Sequence, residues 1–324
     1  MKRGILDTLR RGLDNALVNW GLIIVRLVEV VVLVAITIAA VLAMVVPILL
    51  SIGLRMADIT TPDQIESTML TLLERWSLLV FIFLGLLLLT IVLVALHSVV
   101  DAGCARVQVD ADRMAGPAVD GPRSRYHAFS MARWWAGARD GWRTVFWIYN
   151  FAWGLAGLIL LLPLLPTLAL TIVLRENEPM AIGIGCLGLA VSLLLLIVVG
   201  VVTNIWTNRA IADWAVARKG AAAALSGAWA AIKADLGRHV VIAVAMVVLA
   251  IAGSTFFSSF SYFAAFGEMM HQTSVINFFT IPLRLLGTLA NWGFSSFVAS
   301  WILGAYAALA VENVGRASAR PEAG

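Results

Sequence analysis

Charge is the first thing this chain lacks. Only 13% of its 324 residues are Asp, Glu, Lys or Arg, and 61% are hydrophobic. A soluble globular domain carries roughly a quarter charged residues. So few charges cannot cover the apolar surface of the two soluble domains that length alone would suggest. Mean hydropathy is +0.93, and a polytopic membrane protein is the class that remains. Cysteine is scarce too. Cys104 and Cys186 are the only two, too few for a disulfide framework or a metal-ligand cluster. Cys186 falls inside an apolar run and reads as a small buried hydrophobe.

Catalytic signatures are also missing. No serine has the glycine-flanked nucleophile setting, and no phosphate-cradling glycine loop follows a strand. Gly183, Gly185 and Gly188 in IGIGCLG lie inside an apolar run with no strand before it, which points to close helix packing. His97 and His239 have no carboxylate or cysteine at ligand spacing, so no metal site is expected. Nothing ionised stands in the middle of any apolar run, where it would cost roughly 2.5–3.5 kcal/mol on insertion scales. Arg26 and Glu29 come closest. They are three apart on one helix face and placed to pair with each other. Asn150, Asn204 and Asn291 lie towards the ends of their runs. The expectation is a protein that is not an enzyme, with no catalytic, cofactor-binding or metal residues and no cofactor.

What the chain does have is length of apolar sequence. Residues 30–54, 76–100, 144–174, 181–206, 240–266 and 285–311 each reach the ~20 residues that a helix needs to cross a bilayer. Lipid offers no outside partner to backbone N–H and C=O groups, so these runs must be helices, and they lack the alternation of barrel strands. Pro163 and Pro166 predict tilt or a kink in the third. Lys2, Arg3, Arg10 and Arg11 precede the first run, which far exceeds the ~7–15 residues of a signal-peptide core, so it reads as an uncleaved span.

Basic residues then orient the spans. The N-terminal segment, the second and fourth connections and the C-terminal tail together hold 19 of the 23 Lys and Arg residues; Arg55, Arg75, Arg175 and Arg284 lie opposite. This places both termini in the cytoplasm and the protein in the cell inner membrane, with its basic face towards anionic headgroups. No nucleic acid partner is expected, because the basic residues are dispersed among membrane junctions.

One junction is written more than once. Residues 138–150 read ARDGWRTVFWIYN, and residues 233–244 read KADLGRHVVIAV. A shift of 95 positions pairs Trp134 with Trp229, Asp140 with Asp235 and Arg143 with Arg238. Residues 16–21, ALVNWG, have a similar flavour. Each even-numbered span leaves through an Ala- and Arg-bearing stretch: AGCARVQVDADR, NRAIADWAVARK and ALAVENVGRASAR. Trp suits the headgroup level, Arg reaches phosphates, and Asp can cap a helix or pair with that Arg. The pattern predicts a single polytopic domain, 1–324, with repeats at 4–115, 127–220 and 221–318. Each repeat is an antiparallel pair of spans. The layout resembles a broad group of bacterial six-helix membrane proteins, including the membrane domain joined to some glycerophosphodiester phosphodiesterases. Those enzymes carry catalysis in a separate soluble domain, and no segment here is large enough to be one.

The cytoplasmic connections are too long for tight turns. Residues 101–114, 129–143 and 209–219 read as amphipathic helices lying in the interface, and 115–125 as a loop rich in Gly and Pro. On the other side, Thr61, Pro62 and Gln64 suit a helix start, and residues 268–284 read as a surface-lying loop. Ala250, Ser254 and Ser258 recur every four residues, as do Ser296, Ser300, Gly304 and Ala308. These small-residue stripes predict that the fifth and sixth spans pack along each other. The fold class is thus an all-α membrane protein: six transmembrane helices as three antiparallel hairpin repeats with interfacial amphipathic cytoplasmic helices. Two functions fit it. The first is a non-enzymatic membrane module that organises partner proteins, membrane-bound or cytoplasmic, or lipids. The second is a transporter or permease component for a small or amphiphilic solute, to which internal repeats and Pro163/Pro166 lend support. The absence of a midplane charge argues against ion-coupled transport of a charged solute.

Overall fold

A computed structural model describes residues 3–51, 76–117, 121–174, 176–270 and 274–318. Among them every regular element is a helix. In chain order these are α1 (Ile5–Val18), α2 (Gly21–Ser51), α3 (Trp76–Ala115), a 3₁₀ turn (Arg123–Tyr126), α4 (Met131–Val173), α5 (Glu178–Ala217), α6 (Ala221–Ala234), α7 (Leu236–Met270) and α8 (Ser274–Ser318). Six of them, α2, α3, α4, α5, α7 and α8, are long and apolar enough to cross a membrane. The chain is therefore an integral, multi-pass membrane protein.

Local chemistry sets the helix ends. The Ser130 hydroxyl accepts a hydrogen bond from the Arg133 amide at 3.2 Å and caps α4. Pro179 occupies the first turn of α5, where a missing N–H does no harm. That helix stops at Arg218, which turns left-handed with φ 55° while its amide donates to the Trp214 carbonyl. Such a conformation costs a side-chain-bearing residue roughly 1–2 kcal/mol. Here Arg218 is held by an ion pair to Asp140 and by stacking over Trp214 at 5.2 Å.

The chain divides into two compact units. Arg26–His97 forms one, in which Gly85 of α3 lies directly against the Met44 side chain of α2. The other comprises Met1–Val25 and Ser98–Gly324. Its core gathers at one end of the helices: Ala102 to Val109 of α3, Val145 to Ala152 of α4, Ile205 to Val216 of α5, and Leu303 to Ala310 of α8. Further along α4 and α5, Leu158, Leu162, Leu165, Leu187, Leu194 and Ile197 are exposed, the state of apolar side chains meant for lipid.

Several expectations change here. Residues 101–114, 129–143 and 209–219 do not form separate interfacial helices. They are the inner ends of α3, α4 and α5, continuous with the spans except for the residues that cap α4 and end α5. Their polar residues are what mixed the pattern, and many of these face protein rather than headgroups. The separate short helices are α1 and α6. On α1 Thr8, Arg11, Asp14 and Asn15 are buried, while Leu6 and Leu17 are exposed, as is Trp20 just after it. Residues 274–284, expected as loop, belong to α8, which runs through Pro282. Pro163 and Pro166 both lie inside α4. Cys186 is exposed rather than buried, because it lies on the outer half of α5; Cys104 is buried. The expected helix start at Thr61 lies outside the described residues.

The spans α7 and α8 do pack on each other, but not along both stripes. Gly253 and Phe257 of α7 receive the Phe294 ring of α8, with the two phenyl centroids 5.5 Å apart. The α8 stripe faces elsewhere. Gly304 crosses Gly12 of α1, the Ser300 carbonyl accepts from Gln108 of α3 at 2.7 Å, and the Ala308 carbonyl accepts from Arg3 at 3.2 Å. Small residues were needed for a third helix to come close.

Candidate functional site

The crowded end of the larger unit is built around buried charge. Arg11 of α1 and Asp112 of α3 are each almost fully buried and meet at 2.8 Å; the Arg11 guanidinium also donates to the Gly116 carbonyl at 2.8 Å. Arg3 adds a second, longer approach to Asp112 at 3.5 Å. Burial pulls the Arg3 guanidinium below its ordinary pKa, and the Asp112 carboxylate opposes that pull. Arg238 of α7 donates to Glu312 of α8 at 2.8 Å and to the Thr8 hydroxyl of α1 at 2.6 Å, both buried. The Arg3 amide reaches the other Glu312 oxygen at 3.1 Å. Arg209 of α5 pairs with Asp213 one turn on, at 2.9 Å. An isolated buried charge would be prohibitive, so each of these arginines comes with its acid.

Amides complete the frame. The Asn15 side chain donates to the Gln108 carbonyl at 2.9 Å. Asn19 does more. Its nitrogen donates to the Tyr126 carbonyl at 2.8 Å, and its oxygen accepts from the Ala128 and Phe129 amides at 2.9 and 2.8 Å. This side chain fastens the segment before α4 to α1. Asn19→Ala strands one buried and one half-buried backbone donor, and a loss of about 1–3 kcal/mol is expected. The measurement is thermal unfolding of the detergent-solubilised protein. An unchanged melting temperature would mean that solvent reaches those amides. Two indoles act in the same way: Trp301 donates to the Leu9 carbonyl and Trp206 to the Leu225 carbonyl, each at 2.8 Å. They pin α1 and α6 to neighbouring spans.

The polar residues singled out from sequence are not gathered into one site. Asn150 donates to the Phe146 carbonyl of its own helix at 2.7 Å, and Asn204 accepts from Asn208 at 3.1 Å. Asn291 lies on α8. Glu29 receives His97 at 2.5 Å within the smaller unit, so the partner of Glu29 across helices is a histidine. His239 joins the buried cluster, its ring 6.1 Å from that of Tyr306. The repeated junction does not give equivalent contacts either. Asp140 pairs with Arg218 and Asp235 lies 3.9 Å from Arg238, while Arg143 stacks over Trp142 and Arg238 is buried against Glu312.

Sequence reasoning missed the residues that matter most here: Arg11, Asn15, Asn19, Gln108, Asp112 and Glu312. One signal was present. Each of the three Ala-rich stretches leaving a span carries an acid that the structure pairs with arginine, Asp112, Asp213 and Glu312. An acid in an Ala-rich helix end is a mark of an internal partner.

Cavities flank this end among the described residues. An apolar groove of about 630 Å³ runs between α4, α5 and α6, past Leu155, Val198, Trp206 and Trp229. A polar cleft of about 610 Å³ holds Arg106, Arg133, Arg139 and Arg218 with Asp110 and Asp140. Another, about 120 Å³, lies beside the buried Arg209, Arg238 and His239. Among the described residues no group of three His, Cys, Asp or Glu is placed to hold a metal ion. Fold and site together define an all-helical multi-pass membrane protein with an ion-paired core at one end. No protein family, curated protein or solved structure matches the chain.

Proposed function

We propose that this protein is a non-enzymatic helical membrane module that organises protein partners or lipids at the cytoplasmic face of the inner membrane. One observation carries the reading: among the described residues, the buried ion pairs between helices of the larger unit gather at a single end. The buried ion pairs, the amide frame and the indole bonds tie α1, α3, α7 and α8 into a cap, while the far halves of α4 and α5 present exposed apolar surface. A cap of this kind holds a surface in a defined shape against the bilayer. The basic residues reading towards the cytoplasm put that cap beside anionic headgroups. The contact of Arg3 with Glu312 brings the first helix to the end of α8, which supports both termini lying on one side. Three hairpin units, a resemblance to the bacterial six-helix proteins and interfacial placement of α1 and α6 belong to the same proposal. The outward Leu6 and Leu17 of α1, and Trp20 just after it, suit that interface.

Two measurements test it. Lys2→Cys and Arg320→Cys, each in a background without Cys104 and Cys186, are expected to react with an impermeant maleimide from the cytoplasmic side alone. Labelling of the two from opposite sides ends the topology. Crosslinking in native membranes followed by purification is expected to recover a reproducible protein or phospholipid companion. Saturable solute uptake into proteoliposomes, with no such companion, would instead establish transport.

A further inference from the structure

The polar cleft between α3, α4 and the end of α5 carries more positive charge than its own acids match. Four arginines and two aspartates line it, which leaves two positive charges in excess. Arg106 of α3 pairs with Asp110 at 3.2 Å, and Arg218, just past α5, pairs with Asp140. Arg133 and Arg139 of α4 have no acid. The Arg133 guanidinium donates only to the Ala128 carbonyl, and that of Arg139 bonds nothing among the described residues. Both side chains are exposed, so a ligand in the cleft can reach them. The close crossing of α3 and α4 brings these groups together: a Cβ on Gly137 would lie 2.6 Å from that of Arg106. Trp214, seated on Gly141, stacks under the Arg218 guanidinium at 5.2 Å. Burial pulls Arg218 below its ordinary pKa and Arg106 pulls it further, while Asp140 and Asp110 oppose without restoring it. An anion between the arginines would relieve that crowding.

The depth of the cleft and the surface leading from it narrow the chemistry. Arg139 stands five positions before Thr144, where the apolar run of α4 begins. That is about 7 Å of helix, within a headgroup layer about 5–8 Å deep. At every fourth position α4 then continues from Arg139 through Arg143, Trp147, Phe151 and Leu155, all of them exposed. The Trp147 and Phe151 rings stack with centroids 5.5 Å apart. Phe151 and Leu155 also line the apolar groove of about 630 Å³. One ridge of α4 thus runs from unmatched arginines at headgroup depth to aromatic and aliphatic side chains within the span. A phospholipid has the same order of parts, phosphate and then acyl chain.

We propose that this cleft holds the headgroup of a lipid with two phosphates, of the cardiolipin class, with an acyl chain along the Trp147–Phe151 ridge. Two phosphates match the two unmatched charges. Arg133 and Arg139 stand ~9 Å apart along α4, a spacing that one phosphate spans poorly and two linked phosphates span readily. Basic pockets between spanning helices on the cytoplasmic side are where such headgroups bind. The inference deepens the lipid-organising reading above and rests on this end of the helices facing the headgroups.

The test uses the full chain in detergent, stripped of lipid and kept free of phosphate buffer. It is titrated in mixed micelles with cardiolipin, with phosphatidylglycerol at equal phosphate, and with inorganic pyrophosphate. Native mass spectrometry counts the bound molecules. One cardiolipin is expected, held about fivefold or more tighter than phosphatidylglycerol, because a second phosphate meets a second arginine. Arg139→Gln is expected to weaken it about fivefold and Arg133→Gln/Arg139→Gln about 25-fold, each basic side chain near the headgroups contributing a similar factor. Lys233→Gln removes one exposed charge outside the cleft and is expected to leave cardiolipin affinity unchanged. Phosphatidylglycerol binding as tightly as cardiolipin overturns the proposal. So does equal weakening by Lys233→Gln, which would make the attraction a general property of the basic face. Pyrophosphate held as tightly as cardiolipin overturns the lipid assignment in favour of a water-soluble anion. Arg139 is exposed and bonds nothing, so its single variant decides the matter even if the double variant fails to fold. Failure to bind cardiolipin leaves a protein-organising module standing, whereas solute transport by a cardiolipin-bound protein removes the module reading alone.

Discussion

Arg11→Met is expected to cost about 3–5 kcal/mol, because it leaves Asp112 charged, buried and without its main partner. The pair is closed on every side: both side chains are about 1% exposed and meet at 2.8 Å. Asp112→Leu is expected to cost a comparable amount, since it strands the Arg11 guanidinium. The double variant Arg11→Met/Asp112→Leu is expected to recover most of that loss. Replacing a whole buried pair by apolar groups removes the desolvation penalty together with the attraction. Arg3 keeps its bond to the Ala308 carbonyl in that variant. Unfolding in mixed detergent micelles gives all three values. Additive losses in the double variant would mean that the two residues are not coupled, and the pair would not be holding α1 to α3.

Gly12→Leu and Gly304→Leu are expected to undock α1. A Cβ on Gly12 would lie 2.6 Å from the Ala305 amide nitrogen and 3.0 Å from the Trp301 carbonyl oxygen; one on Gly304 would lie 3.0 Å from the Gly12 carbonyl oxygen. These neighbours are backbone and cannot swing aside. Overpacking penalties reach about 3 kcal/mol where nothing yields. Displacing α1 also breaks the Trp301–Leu9 bond and pulls Arg11 from Asp112, so the loss is expected at or above that figure. Gly293→Ala and Gly315→Ala, which meet open space, are the controls and should melt like the parent. Hydrogen exchange locates the effect, with α1 amides losing protection before those of α4 and α5. Equal protection in Gly12→Leu would show that α8 can shift away from α1.

The two sets of variants probe the seat of α1 by different physics, one against α3 and the other against the small-residue stripe on α8. From sequence the stripe signalled a close helix neighbour. It did not say which one, because small residues permit approach without naming a partner. Span α7 was the nearest in sequence, yet it meets α8 through Gly253, Phe257 and Phe294. The stripe was left for α1 and α3.

The six spans were legible because crossing lipid imposes a length and an apolarity on each helix by itself, and no other part of the chain has to be known. Partnerships were not legible, because they join residues far apart in sequence. Arg11 and Asp112 are separated by 101 positions, Arg238 and Glu312 by 74. Local pattern made residues 101–114 look like an interfacial helix, since a buried acid and a solvated acid read alike in one dimension. Only the packed end of the helices tells them apart. There Arg11 and Asn15 of α1 turn inward, Asn19 fastens the segment before α4, and Arg238 of α7 meets Glu312 of α8. Hydropathy along a chain reports which solvent each segment prefers. The pairing of buried charges depends on which segments meet, and that is settled only when the helices come together.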